Sequence, residues 1–557
     1  MNKIYTLIIS ALCLFSITLE ARTMQEASAV ASAFMQAQNE AKGERLKAKG
    51  ERIPVELAFT QYQVDQTTPA VYVFNSTDEG FVLVSAEDNA RAVLGYSDEG
   101  TFDANNIPEN MQFWLKMYAD EMRSATEAMR REGDEAMRRK AIEHPKNQQI
   151  FRGPRWQEAE AESYPTISPI LGKTVWGQGE PFNNKCPEIN GERTVTGCVA
   201  TAMSQIMYAH KYPTKGTGSH SYTTETKKLK VSANFGNTTY DWANMIPNYK
   251  KDSYTTTQAD AVATLMYHVG VAAEMDYTVE GSGAVSSIAL AAMTEYFGYN
   301  KAINVLPKDF MKEEDLLQVI ATDLQAGRPV YVSGSTVNQE GHAFVCDGME
   351  SDGYLHINWG WYGMADGYFA LSALAPEVQG TGGSASNLAF TEGVCIYSNI
   401  KPIAGGEAMP LVTVDKLTRT SKETINKTEK VSFDLDRFTS TGIATAEGTI
   451  TYFIYNSDKE LVKQVEIGYF GPLDPGYYYT SAISISHTLP NTLANGNYEL
   501  EIRYIDDNDI DHPILVKGLG EVRVPFTVTS SQFVFGESID VCCINAILLT
   551  KHLKCGC

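Results

Sequence analysis

The chain has 557 residues, 43% of them hydrophobic and 20% charged. That is an ordinary globular composition on a chain too long for one core, so about two to four domains are expected. A net charge of −22 argues against nucleic acid or an anionic membrane surface as partner, and nine cysteines are too sparse for a disulfide-built scaffold.

Lys3 followed by the apolar run Ile4 to Leu19, ending at Leu19-Glu20-Ala21, reads as a secretory signal peptide over residues 1–21. The run is short for a membrane anchor, and Cys13 follows Leu12 where lipid attachment would need a small residue. No later stretch is long and apolar enough to act as a transmembrane anchor. The expected product is exported, either secreted or held at the cell surface.

Residues 22–150 read as a first unit. The pattern predicts a helix from Met24 to Gln38, strands at Val71 to Phe74 and Phe81 to Ser85 joined by a turn, and a helix from Glu109 to about Met129. Charge dominates from Arg130 to Lys146, an exposed linker suited to cleavage.

Residues 151–402 form the second unit. Helical patterns over Cys198 to Met207, Ala259 to Ala273, Ser286 to Phe297 and Asp309 to Ala326 precede strands at Pro329 to Ser333, Ala343 to Asp347 and Tyr354 to Trp359. Helices first and an antiparallel sheet later predict an α+β fold. Ala404-Gly405-Gly406 opens a linker over 403–411. From 412 to 530, short alternating runs separated by Asp474-Pro475-Gly476 and Asn495-Gly496-Asn497 predict an all-β, sandwich-like domain. The tail, 531–557, carries Cys542, Cys543, Cys555 and Cys557 in a spacing that matches no metal site.

The chemistry concentrates around Thr196-Gly197-Cys198. Thr196 can cap, which puts Cys198 in a first helical turn, where free N–H groups favour the nucleophilic thiolate. A small buried cysteine is the alternative reading. A base is offered by His342 in Gly341-His342-Ala343-Phe344-Val345, 144 residues after Cys198, with Asn358 16 further on. Folding the hairpin about Glu350 to Gly353 brings His342 opposite Asn358 to Gly360, give or take two residues. The chain order and spacing fit a papain-like layout, with His and Asn roughly 130–150 residues after the Cys.

Together, Gly197-Cys198-Val199-Ala200-Thr201-Ala202, Gly341 to Val345 and His356-Ile357-Asn358-Trp359-Gly360-Trp361 resemble the streptopain/interpain family of cysteine peptidases. Trp176-Gly177-Gln178-Gly179, Met275-Asp276-Tyr277 and Asp366-Gly367-Tyr368-Phe369 extend the resemblance over roughly residues 22–402. It implies a papain-like two-subdomain peptidase behind an α+β inhibitory pro-domain, and an endopeptidase that acts on proteins or peptides through a Cys-His dyad and a thioester. It further implies self-removal of the pro-domain, which folds over the cleft and displaces the His342 loop, with cleavage between about Arg130 and Thr166. By the same resemblance Cys198 is the nucleophile and His342 the base. Gln178 and the Cys198 N–H hold the oxyanion, Asn358 or Trp359 orients or shields the imidazole, and Ser282, Gly283 and Gly341 line the substrate cleft. No metal or cofactor is implied. The competing readings are a catalytically silent surface-binding protein and, more distantly, a transglutaminase-like acyl transferase.

Overall fold

The computed structural model describes residues 22–41, 53–77, 79–87, 90–132, 164–251, 253–335, 341–373 and 393–536. The expected signal peptide, most of the expected cleavage stretch and the four tail cysteines lie outside the described residues.

The N-terminal unit comprises helix α1 (Met24–Ala41), strands β1 (Val55–Tyr62), β2 (Pro69–Ser76), β3 (Phe81–Ser85) and β4 (Val93–Ser97), and helix α2 (Glu109–Glu132). β2 and β3 pair antiparallel, as two apolar runs joined by a turn predict; β1 and β4 extend the sheet on either side. In the central unit, helices α3 (Cys198–His210), α4 (Thr256–Ala272), α5 (Ser286–Tyr296) and α6 (Glu313–Gln325) accompany strands β5 (Asn304–Pro307), β6 (Val330–Ser335), β7 (Gly341–Met349), β8 (Leu355–Asn358), β9 (Gly367–Phe369) and β10 (Cys395–Ser398). Mixed helices and sheets make this an α+β protein.

The two units share one ten-stranded sheet, in the order β1-β2-β3-β4-β9-β8-β7-β6-β10-β5. The seam is the β4–β9 pair, where Tyr96 faces Tyr368 and Gly95 faces Phe369. Gly95 is required there because a Cβ would lie 2.4 Å from the Phe369 ring. Buried bonds reinforce the seam. Tyr354 Oη–H donates to Val93 O (2.7 Å) and Tyr118 Oη–H to Ala370 O (2.5 Å), while Arg91 pairs with Glu313 at 3.1 Å. Lys308 pairs with Glu121 of α2, both side chains almost wholly buried, and Glu121 also accepts from Ser372 Oγ–H and Ala373 N–H.

Side chains alternate along β7. Ala343 and Val345 enter the core beneath α3, whereas Phe344 and Cys346 enter the core shared with α2. β7 is therefore the wall between the Cys198 helix and the N-terminal unit.

Between Val412 and Phe535 every regular element is a strand. The longest, Leu461–Leu473, pairs among the described residues only with Ala446–Asn456. The last strand, Gln532–Phe535, runs past residue 530, where the sequence pattern was expected to stop, and pairs with Arg523–Val528. This unit meets the central one at Asp309, which accepts Gly518 N–H on its carbonyl (2.8 Å) and pairs with Lys517 at 3.4 Å. No helix among the described residues is long and apolar enough to cross a membrane.

Candidate active site

α3 begins at Cys198, but Thr196 is not its cap. The N-cap is Gly197, at φ +85°, with no side-chain cap bond. The Thr196 hydroxyl instead meets that of Thr201 at 3.1 Å. Only glycine serves at 197: the φ is left-handed, and a Cβ would lie 2.7 Å from both Met275 Sδ and Ser282 O. This close approach brings the Ser282-Gly283 loop against the start of α3.

The backbone N–H of Ala343 points at the Cys198 sulfur, as do those of Val199 and Cys198 itself. The residue that follows His342 on β7 thus lies in the core against which Cys198 packs. The expectation of an acidic thiol is reversed in this form of the chain. Burial pushes the Cys198 thiol above its ordinary value, and the Glu109 carboxylate of α2 adds to the rise; the three N–H groups only partly oppose it. The other described thiols are raised further by burial, Cys186 and Cys395 to about 12.

α2 packs against the strand that carries His342. Phe113 packs against the His342 ring (centroids 5.9 Å apart) and fills the space beside Gly334, the register partner of His342. A Cβ at Gly334 would lie 2.3 Å from the Phe113 ring. One turn earlier, Asn110 is wholly buried. Its amide N–H groups donate to Trp359 O (2.7 Å) and Ala343 O (3.2 Å), and its oxygen accepts from Trp361 Nε1–H (2.6 Å). Neither residue was singled out in the sequence. The available signal for Asn110 was an amide one turn before Phe113 and Trp114, on the apolar side of the helix.

The β7–β8 register sets Val345 opposite Asn358. Continued past the end of β8, that register carries His342 to the level of Trp361, within the expected tolerance. Asn358 is committed elsewhere: its oxygen accepts from Gln205 Nε2–H (2.8 Å) and Gly360 N–H (3.0 Å), and its amide donates to Thr174 O (2.8 Å). Trp359 lies in the core against Phe344 and Trp114, its indole N–H donating to Ala365 O (2.8 Å).

Gln178 is half-buried, and its backbone carbonyl accepts from Thr196 N–H at 3.1 Å, tying it to the turn before Cys198. Ser282 spends its hydroxyl on the loop itself, donating to Val195 O (2.8 Å). Gly283 is exposed with nothing within 4 Å of a built Cβ, and Gly341 is exposed at the start of β7. The structure therefore brings Cys198, Ala343, Gln178 and the Ser282-Gly283 loop to one place, while Asn358 sits in a closed network of its own. Among the described residues no group of His, Cys, Asp and Glu is arranged to hold a metal ion.

A family model for the Spi protease inhibitor matches residues 20–122, and one for the peptidase C10 family matches residues 176–369. The thiol protease/hemagglutinin PrtT of Porphyromonas gingivalis is 34% identical over 351 residues, 62% of this chain but only 38% of that protein. Streptopain of Streptococcus pyogenes is 32% identical over 333 residues, 57% of this chain and 77% of streptopain. Among solved structures, a prointerpain A fragment from Prevotella intermedia shows 30% identity and a TM-score of 0.48, covering 63% of this chain and 99% of the fragment. Active interpain A from the same organism shows 36% identity and a TM-score of 0.37, covering 45% of this chain and 100% of that one. The class is thus a thiol protease in zymogen form, a hydrolase carrying its own inhibitor-like pro-domain. The chain belongs to the peptidase C10 family.

Proposed function

We propose that this chain is an exported, papain-like cysteine endopeptidase whose pro-domain is removed by its own activity. The proposed divisions are a signal peptide at 1–21, a pro-domain at 22–150, a two-subdomain catalytic unit at 151–402 and a β-sandwich domain from 412. Cys198, its thiol proton passed to His342, attacks the scissile carbonyl carbon as the thiolate. Gln178 and the Cys198 N–H stabilise the oxyanion that forms, donors held where charge develops. The imidazolium of His342 then protonates the leaving amine, and a thioester remains on Cys198. Water, deprotonated by His342, attacks the thioester and returns the thiol. Trp359 shields the imidazole in this scheme, since Asn358 has both ends of its amide engaged with Gln205, Gly360 and Thr174. Gly283 and Gly341 leave room for an extended peptide, and Ser282 shapes the loop.

The observation that carries the reading is Cys198 at the start of α3, packed against the core that holds Ala343, so that a candidate nucleophile stands beside the strand that bears His342. The test is the Cys198→Ala chain. It is expected to accumulate as full-length precursor with no cleavage of casein, and to be shortened when active enzyme is added. Self-processing or casein cleavage by that variant rejects the assignment.

A further inference from the structure

The loop from the end of β8 to the start of β9, residues 359–366, lies along Thr174 to Gly179 like a second strand without being one. Asn358 Nδ2–H donates to Thr174 O (2.8 Å), and the α-carbon of Gly363 crosses over Val175, whose Cγ1 would be 2.6 Å from any Cβ there. Tyr362 N–H donates to Trp176 O (2.9 Å), and Tyr362 Oη accepts from Gly179 N–H (2.7 Å). A single residue thus bonds the main chain on both sides of Gln178.

The glycines flanking Gln178 follow from that contact. A Cβ on Gly177 would lie 2.4 Å from Tyr362 Cζ, and one on Gly179 would lie 2.7 Å from Tyr362 Oη. Neither glycine has a positive φ, so space, not backbone conformation, excludes a side chain at both positions. Tyr362 itself is the strained partner: it sits at φ +59° within a loop that also holds Gly360, Gly363 and Ala365 at positive φ. A bulky residue in that region is uncommon, and such strain collects at functional sites. Burial does not explain it, because the Tyr362 side chain is 44% exposed. On the far side, the Gln178 carbonyl is tied to Thr196 N–H, two residues before Cys198.

We infer that Tyr362 is a positioning residue for the oxyanion donor, clamping the main chain before and after Gln178 so that its side-chain amide is aimed at the reacting carbonyl. This rests on the proposed role of Gln178. Donors in an oxyanion hole act through being held in place before charge develops, so a loosened Gln178 lowers turnover without weakening substrate binding or thiolate formation.

Four variants of the full chain test it: Tyr362→Phe, Tyr362→Ala, Gln178→Ala and the double variant Tyr362→Phe/Gln178→Ala. Each is processed to the same mature start, checked by mass. Kinetics on a peptide substrate give kcat and KM, and iodoacetamide alkylation of Cys198 reports the thiolate alone. Tyr362→Phe is expected to lower kcat ~5- to 10-fold, the worth of one hydrogen bond. KM should stay within about twofold and the alkylation rate should not change. Tyr362→Ala should approach the ~100-fold loss expected of Gln178→Ala, and the double variant should be no slower than Gln178→Ala alone. If Gln178→Ala is slow while Tyr362→Phe keeps full kcat, or if the two losses multiply, Tyr362 does not act through Gln178 and the inference is overturned. Full kcat in Gln178→Ala would instead overturn the oxyanion assignment, and the inference with it. Should Tyr362→Ala fail to fold, Tyr362→Phe and the double variant still decide.

Discussion

Replacing Asn110 with alanine removes the most concentrated polar contact between α2 and the thiol-bearing site. Three hydrogen bonds go with it, to Trp359 O, to Ala343 O and from Trp361 Nε1–H, all made by a wholly buried amide. At about 1 kcal/mol net for each bond, the closed state loses ~3 kcal/mol relative to one in which α2 has lifted and the partners are hydrated. That corresponds to ~100-fold in the open-to-closed ratio. The assay is iodoacetamide alkylation of Cys198 in the uncleaved chain, dilute enough that cleavage between molecules is slow. If the reagent reaches the thiol through the open state, the rate should rise by about the same factor. Asn110→Asp, which keeps the shape but loses both donors, should behave similarly. An alkylation rate within about twofold of the parent chain, in an Asn110→Ala variant with unchanged circular dichroism, would refute the reasoning by showing that α2 does not gate the thiol.

Three further predictions concern ionisable groups shielded by the fold. Glu121→Ala leaves the Lys308 ammonium buried without its carboxylate, so calorimetry of the zymogen should show a loss of ~3–5 kcal/mol. The double variant Glu121→Leu/Lys308→Met should lose less than the single one, and an equal or larger loss would contradict the pairing. Burial raises the Asp366 carboxyl to about 7 from an ordinary 3.8, against the pull of Trp359 N–H and His356. The folded chain therefore keeps a proton that the unfolded chain releases from about pH 4 upward. This contribution to stability is complete below about pH 4 and is lost as the pH rises to about 7. Asp366→Asn should thus gain in Tm over the parent as the pH is raised through that window, and a constant difference would sink the claim. His268, lowered by burial to about 4 from 6.5, acts in the opposite sense. Its contribution is complete above about pH 6.5 and is lost as the pH falls to about 4, so His268→Gln should flatten the acid limb of the Tm profile.

The parts of this site that the sequence revealed are those governed by local periodicity. The stripe of Val199, Ala202, Met203, Ile206 and Met207 is buried as the helix of Cys198 requires, and the hairpin through Glu350 to Gly353 forms, with Val345 paired to Asn358. Strands that stand out as an unbroken apolar run, such as Phe81–Ser85, are legible, whereas Val93–Ser97 is not. The latter contains Gly95, a poor strand former present only because Phe369 lies against it across the seam. The Cys198 environment was misjudged for a related reason. The helix N-terminus is a local feature, but the burial that raises the thiol is that of the folded core around it, and the Glu109 carboxylate that adds to the rise stands more than eighty residues earlier in the chain. Thr196 was read as a cap because its residue type permits it; the closeness of Met275 and Ser282, which forces Gly197 into that role, appears only in three dimensions. Tyr362 was invisible on the same grounds, although two glycines flanking a single glutamine were a signal that something presses on that backbone.

The central claim is that one sulfur among the chain's cysteines is set apart for catalysis. It is tested most directly by mapping, after processing, where a limiting amount of iodoacetamide lands. The account predicts one equivalent on Cys198, with activity lost in proportion, while Cys186 and Cys395, held near pKa 12 by burial, stay unmodified. Label on another cysteine with loss of activity, or full activity in enzyme alkylated at Cys198, would contradict it.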